Sequence, residues 1–293
     1  MDSRFLKLAR DIPVMPAVAS KVLGMATEGQ NVSFRELEDI VKVDQGLTAR
    51  ILKVANSAQY ARQREVKDLR TAFTLLGFKT IRSLVLLVTA SGMFSRIRSA
   101  AFYRDHWYHS IMTAFLARSL AVRCGLRDVA EESFLAGLFH DVGRVPLYLS
   151  DPSQYDGLVL KANELGIPMS TLEREVFGTD HHELGSALLA QWSFPGVFAD
   201  TALEHDRANI TSPHKTVIIL VTVSNILVDR AVTGRAVPNR MEILTKLLPY
   251  TCLSPEDAET FSTGLPAVLR DDPLFVQCLE MYGFESPTPS EPG

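Results

Sequence analysis

A chain of 293 residues that is 46% hydrophobic and 22% charged can bury a substantial core, which excludes bulk disorder. Its 30 basic and 34 acidic residues leave a net charge of −4, which argues against a wholly basic nucleic-acid binder. Three cysteines without CxxC spacing, Cys124, Cys252 and Cys278, exclude a disulfide framework and a zinc ribbon, and fit a reducing compartment.

The N-terminal MDSRFLKLAR lacks an apolar core followed by a small-residue cleavage site. The longest apolar stretch, Thr216 to Val228, contains Ser224 and Asn225 and falls short of the roughly 20 residues of a membrane helix. The expectation is a soluble, cytoplasmic protein with no membrane partner.

Helical periodicity runs along the chain. Asn31-Val-Ser33 reads as a helix start, with Ser33 as N-cap and Glu36 at the capping-box position. Phe34, Leu37, Ile40 and Val41 recur at three- and four-residue steps, and so do Leu47, Ile51 and Val54 after a turn at Asp44-Gln-Gly46. Ile111, Phe115 and Val122 continue the pattern. Residues 131–149 open with Glu131-Glu132, favourable at a helix N-terminus, and then turn apolar. Gly178 to Trp192 and Thr216 to Val232 read as two further helices. Met241 to Leu248 is partly amphipathic, while Gly264 and Pro266 interrupt Ala258 to Leu269, so the final sixty residues are expected to add one or two helices. Few alternating apolar and polar runs exist, and the fold expected is all-α.

Charge is uneven. Residues 60–104 carry nine basic side chains against Glu65 and Asp68, a local +7 that leaves −11 elsewhere. The stretch reads either as solvated helix faces or as a surface for an anionic ligand or partner, with Arg62, Arg64, Lys67 and Arg70 near one another. Residues 33–56 resemble a helix-turn-helix whose second helix displays Thr48, Arg50, Lys53 and Asn56. Two helices joined by a glycine turn are common, and DNA is not the expected partner.

The residues suited to chemistry are histidines beside acids. Phe134-Leu-Ala-Gly-Leu-Phe-His140-Asp141-Val-Gly-Arg144 places an imidazole and a carboxylate at the end of an apolar helix, and both are divalent-metal ligands. A histidine packed against a neighbouring acid is the simpler alternative. His109, His181-His182-Glu183 and Glu204-His205-Asp206 supply further donors. Asn225 lies inside an apolar helix, where an amide must find a partner or lie exposed.

Several ordered motifs, spread over about residues 5–230, resemble the HDOD domain, a bacterial signalling relative of the HD phosphohydrolases. They are Ile12-Pro-Val-Met-Pro16; Val43-Asp-Gln-Gly-Leu-Thr-Ala-Arg-Ile-Leu-Lys-Val-Ala-Asn56-Ser57; and Thr71-Ala-Phe-Thr-Leu-Leu-Gly77. Then come Trp107-Tyr-His-Ser110, Ala136-Gly-Leu-Phe-His-Asp-Val-Gly143, and His181-His-Glu-Leu-Gly185 through Gln191-Trp192 to Pro195. The resemblance implies an HD-like helical bundle over 101–235 and an N-terminal helical part over 1–100. Residues 235–293 fall outside it, and the sequence there reads as a C-terminal helical extension over 236–284 and a Pro/Ser-rich disordered tail over 285–293.

The resemblance also implies a ligand set. The superfamily's H…HD…D pattern falls on His109, His140 and Asp141, while Asn225 stands where the last aspartate is expected and Asp229 lies one turn beyond it. His181 and His205 match positions that serve a second metal in HD-GYP phosphodiesterases. Arg144 replaces a lysine that follows His-Asp in many HD hydrolases and could still clamp a phosphate. No GYP triplet is present. The function so implied is a non-enzymatic regulatory module acting through a protein partner, with a weak or vestigial divalent-metal site. The alternative is a metal-dependent phosphohydrolase acting on a nucleotide or another phosphate ester.

Overall fold

In the computed structural model of the chain, residues 18–19, 21–22, 34–57, 65–93, 101–270, 272–282 and 284 are described. Every regular element among them is helical, as the periodicity predicts. The expected caps Ser33 and the tail 285–293 lie outside the described residues. The chain divides into two compact units, one formed by residues 15–95 with 266–293 and the other by residues 1–14 with 96–265.

In the first unit, α1 (Phe34–Val41) and α2 (Gln45–Ala55) pack on the longer α3 (Leu69–Met93), and α14 (Pro273–Tyr282) joins α2. Asp44 caps α2 by accepting from the Leu47 amide at 3.0 Å. Leu37, Val41, Leu47, Ile51, Phe73 and Phe275 fill the core. Gly77, at φ 79°, bends α3, a backbone state open mainly to glycine. Asn56 and Thr48 of the helix-turn-helix reading are engaged internally. Asn56 donates to the Leu52 and Val66 carbonyls and accepts from the Val66 amide, and the Thr48 hydroxyl donates to the Val41 carbonyl.

The second unit is built on α4 (Ala101–Arg123), α5 (Ala130–Phe139) and α11 (Lys215–Thr233), which pack on one another. Around them lie α6 (Arg144–Ser150), α7 (Pro152–Leu165), α8 (Met169–Phe177), α9 (His181–Gln191), α10 (Gly196–Glu204) and α12 (Pro238–Leu247). Gly137 lets α5 approach α4 closely, since a Cβ there would lie 2.9 Å from the Ala114 Cα. By length and composition, α11 and Leu69–Thr89 could each cross a membrane. The apolarity of α11 has a local cause, because Val217, Ile218, Leu220, Val221, Val223 and Leu227 are buried in this unit.

The helix end expected at His140-Asp141 is present, and the run 131–149 is two helices, because the chain turns at His140–Gly143 and restarts at Arg144, which puts Pro146 in a first turn where no amide donor is needed. Two boundaries differ from the sequence reading. Gly178 ends α8 at φ 76°, and Asp180 rather than Gly178 starts α9, accepting from the Glu183 amide at 2.9 Å. The helix α13 (Pro255–Arg270) continues through Gly264 and Pro266, so the last sixty residues hold three α-helices among the described residues.

Cysteine chemistry also differs. Cys124 and Cys252 form a disulfide across a separation of 128 residues, joining the end of α4 to the loop before α13, while Cys278 is free and buried. Spacing carries no sign of a pair so distant in sequence.

Candidate metal centre

The centre lies wholly within the second unit. Its base is the turn after α5. A Cβ at Gly143 would lie 2.1 Å from the His181 carbonyl oxygen and 2.6 Å from the Gly185 amide nitrogen. Glycine therefore lets the His140–Gly143 turn press directly on the start of α9, which brings two sequence motifs together.

Asp141, nearly buried, is the hub. Its Oδ1 lies 3.3 Å from His205 Nε2 and 3.6 Å from His181 Nε2, and its Oδ2 lies 3.7 Å from His140 Nε2. Burial opposes its charge. The surrounding imidazoles and Arg144 outweigh that and hold the carboxyl well below its usual range. His109, on α4, brings its Nε2 to 3.3 Å from His140 Nε2.

The outer nitrogens fix the tautomers. His140 Nδ1 lies 2.7 Å from the Gly137 carbonyl, so it must carry the proton. His205 Nδ1 lies 3.0 Å from the Ala202 carbonyl. His181 Nδ1 faces Glu173 Oε2 at 2.5 Å, and the same oxygen accepts from the His181 amide at 2.9 Å. His109 Nδ1 faces Asp229 Oδ1 at 3.2 Å. All four Nε2 atoms are thus left as lone-pair donors aimed inward, the arrangement that outer partners impose on metal-binding histidines. Two such lone pairs facing each other at 3.3 Å, as in His109 and His140, are mutually repulsive without a shared cation. Burial keeps His109, His140 and His205 neutral. It lowers His109 to about 4 against the partly opposing Asp141, and it lowers His140 and His205 as well.

Two donor groups result, His109–His140–Asp141 and His181–His182–His205–Asp206, each with ligand atoms within 4.8 Å of one another. Nε2 of the fully buried His205 has no hydrogen-bond partner among the described residues. An orphaned buried nitrogen costs free energy unless something else satisfies it. Imidazoles with one shared carboxylate suit a borderline divalent ion, so the residues fit the metal that the sequence reading expects.

All six residues proposed from sequence as ligands are brought together, with different duties. Asn225, nearly buried, donates from Nδ2 to Asp206 Oδ1 at 3.2 Å. Asp229 orients His109 from behind. Arg144 is turned inward, donating from Nη1 to Asp141 at 3.2 Å and from Nε to the Tyr155 hydroxyl at 3.1 Å. That hydroxyl donates to Glu173 Oε1 at 2.7 Å, closing a buried chain from Asp141 to His181.

Sequence reasoning missed Tyr155, Glu173 and Arg240, which no local motif marks. It counted His182 and Asp206 among the further donors but left both out of the ligand set. Burial alone would lower His182, yet Asp180 and Asp206 on its two sides push it up to about 9. Arg240 bridges Asp206 and Asp229.

Comparison with known proteins bears on the fold. A crystal structure of a candidate phosphohydrolase from Shewanella amazonensis matches with a TM-score of 0.72 at 19% identity, over 96% of this chain and 98% of that one. A candidate signal-transduction protein from Marinobacter aquaeolei matches with a TM-score of 0.74 at 21% identity, over 95% of this chain and 60% of that one. At such identities the likeness establishes the fold alone. An uncharacterised protein of Treponema pallidum is 24% identical over 221 residues, covering 74% of this chain, and this chain spans 42% of its length. Residues 12–208, the larger part of the chain and all of the His109–His140–Asp141–His181–His205 set, match the HDOD domain, and the chain belongs to the HDOD family.

Proposed function

We propose that the protein is a signal-transduction module of the HDOD type, acting through a protein partner, whose HD-type centre binds a divalent metal without turning over phosphate esters. The observation that carries this reading is the engagement of Arg144. A phosphate clamp needs a guanidinium free to face the substrate. Arg144 instead spends Nη1 on Asp141 and Nε on Tyr155, which locks the carboxylate at the hub.

In this reading His109, His140 and Asp141 hold one ion, and His181 and His205 meet the other oxygen of Asp141. A bound divalent ion would supply charge that ties α4, α5, α9 and α10 together. Glu173 and Asp229 orient His181 and His109, and the Gly137 and Ala202 carbonyls orient His140 and His205. The partner surface proposed is the part of the basic stretch in the first unit, where Lys67, Arg70 and Lys79 are exposed among the described residues. An acidic protein face suits it, and the −11 elsewhere disfavours a long polyanion.

One observation favours the alternative, a metal-dependent phosphohydrolase. The two oxygens of Asp141 face different histidine sets, as a carboxylate shared between two ions would. The deciding experiment is elemental analysis of the purified chain together with assays on a phosphomonoester and a phosphodiester. Bound metal without turnover is the expected result. Metal-dependent turnover that disappears in His140→Ala and Asp141→Ala would replace the signalling reading with the hydrolase.

A further inference from the structure

One covalent bond, between Cys124 and Cys252, ties the end of α4 to the segment before α13. Its surroundings are not those of a buried cross-link. Cys252 is exposed, and Cys124 is only partly covered. The Cys252 amide donates to Cys124 Sγ at 3.1 Å. Cys278, the third cysteine, is free but fully buried, so it offers no thiol to solvent.

These features give the bond a chemical direction. A thiolate attacks the disulfide sulfur it can reach, and the other sulfur leaves with the bonding electron pair. Access favours attack at Cys252. Cys124 then leaves from the C-terminal end of α4, where the helix dipole disfavours an anion. The Cys252 amide offsets this, because an N–H already aimed at Sγ stabilises the thiolate as it forms.

The polar ties at this end of α13 are weak by comparison. Arg123 Nη2 lies 2.5 Å from Asp257 Oδ1, and its guanidinium stands 5.6 Å from the centre of the Phe261 ring. Arg230 Nη2 lies 2.6 Å from Glu259 Oε1. Arg123 and Glu259 are each more than half exposed, and exposed ion pairs contribute little. The helix itself keeps an apolar seat through Ala258, Phe261 and Leu265. Opening the disulfide would therefore loosen residues 251–254 while α13 stays folded.

We infer that Cys124–Cys252 is a thiol-exchange site, a reversible latch that a low-molecular-weight thiol opens and the corresponding small disulfide closes. In opening, the small thiol, as thiolate, bonds to Cys252 Sγ. The Cys124–Cys252 bond breaks, and Cys124 takes the electron pair and then a proton from water. A second small thiolate attacks the small-molecule sulfur of the mixed disulfide, and Cys252 leaves and is protonated in turn. In sum, two small thiols are oxidised to one small disulfide, and the protein disulfide is reduced to two thiols. The same steps reversed close the latch. The division between the two compact units falls within α13, after Leu265, so the latch acts on a helix through which the chain leaves the unit carrying the histidine centre.

The test equilibrates the full chain with reduced and oxidised glutathione at a series of millimolar ratios and alkylates the free thiols in the folded state. Intact mass and peptide mapping read the products, and circular dichroism checks folding. Interconversion across the series is expected, with Cys124 and Cys252 alkylated together in the reduced form and Cys278 unmodified. Alkylation early in reduction should trap glutathione on Cys252 and the label on Cys124. The reduced chain should melt about 5–10 °C below the oxidised chain, because a cross-link closing a long loop is lost. It should also be cut faster by protease within residues 251–254. The double variant Cys124→Ser, Cys252→Ser should match the reduced chain at every ratio. A pair that stays oxidised in excess reduced glutathione would overturn the inference and make the bond a fixed cross-link. Two free thiols at every ratio would overturn it as well. So would equal melting and equal cleavage of the oxidised and reduced chains. Wild type alone carries these measurements, so a double variant that does not fold leaves the test in place.

Discussion

His181 Nδ1 lies 2.5 Å from Glu173 Oε2, a carboxylate that is fully buried and reaches the centre from a different helix. Glu173 also accepts from the His181 amide and from the Tyr155 hydroxyl, so one side chain sets the ring, the helix start and the chain of bonds back to Arg144. Burial works against its charge, but His181 and Arg144 keep its carboxyl below the usual range. Removing that charge should release the ring without removing a ligand.

Glu173→Gln is therefore expected to weaken divalent-metal binding by about 10- to 100-fold, the range found for partners that orient metal-binding histidines. Calorimetric titration of wild type and variant checks it. Binding within twofold of wild type would mean that His181 does not serve the metal.

Asn225→Asp is expected to act in two directions. The Asn225 amide now donates to Asp206 Oδ1, and a carboxylate in its place would face a carboxylate. The metal-free variant should lose about 1–3 kcal/mol, the cost of breaking a buried hydrogen bond and unpairing its acceptor. A divalent ion should restore that loss and bind more tightly than to wild type, because a hard cation prefers a charged oxygen. Thermal melts with chelator and with Mn²⁺ would show the two effects. A variant that is less stable in both conditions contradicts the placement of Asn225 beside the metal.

Gly143→Ala is expected to be among the most damaging single-methyl changes in the chain. The new Cβ would meet two backbone atoms of α9, at 2.1 and 2.6 Å, and backbone cannot rotate away as a side chain can. The cost should exceed about 3 kcal/mol, the upper range for overpacking. It should also part His140–Asp141 from His181. Urea denaturation measures the first effect and metal stoichiometry the second, and a loss under 1 kcal/mol would show that the two segments do not touch.

Much of this arrangement is legible in the residues, and the rest is not for a definable reason. The apolar run into His140-Asp141-Val-Gly143 predicts a helix end that presents two ligands, and α5 ends at Phe139. His109, His181 and His205 stand in motifs with recognisable spacing, and each helix delivers its ring to one place. Glu173, Tyr155 and Arg240 come from helices whose sequences serve their own amphipathic packing, so nothing local distinguishes them from solvated or core positions. Helix ends were harder to read than helix interiors. Gly178 and Asp180 both carry end signals two residues apart, and only tertiary structure decides that the first stops α8 while the second starts α9. The Cys124–Cys252 pair is invisible for the same reason, since contact across 128 residues leaves no spacing pattern.

The histidines also fix how stability depends on pH in the metal-free protein. Burial lowers His106 to about 3 and His109 to about 4, and it lowers His140 and His205 too. A histidine in the unfolded chain titrates near 6.5. As pH falls below that value, the unfolded chain takes up protons that the folded chain refuses, so stability present above about pH 6.5 is lost on acidification. Between pH 6.5 and 5 each fully neutral buried histidine removes about 2 kcal/mol. His182 has the opposite sign. Raised to about 9 by Asp180 and Asp206 in spite of burial, it stabilises the fold below about pH 6.5, and that contribution is lost as pH rises through 9. Urea denaturation in chelator from pH 5 to pH 9.5 should give a maximum near neutrality with both limbs falling. His106→Leu should flatten the acidic limb, because it removes a buried ring whose Nδ1 has no hydrogen-bond partner among the described residues. His182→Asn should flatten the alkaline limb and leave the acidic one. An acidic limb unchanged in His106→Leu would mean that this ring titrates normally in the folded chain and is open to water.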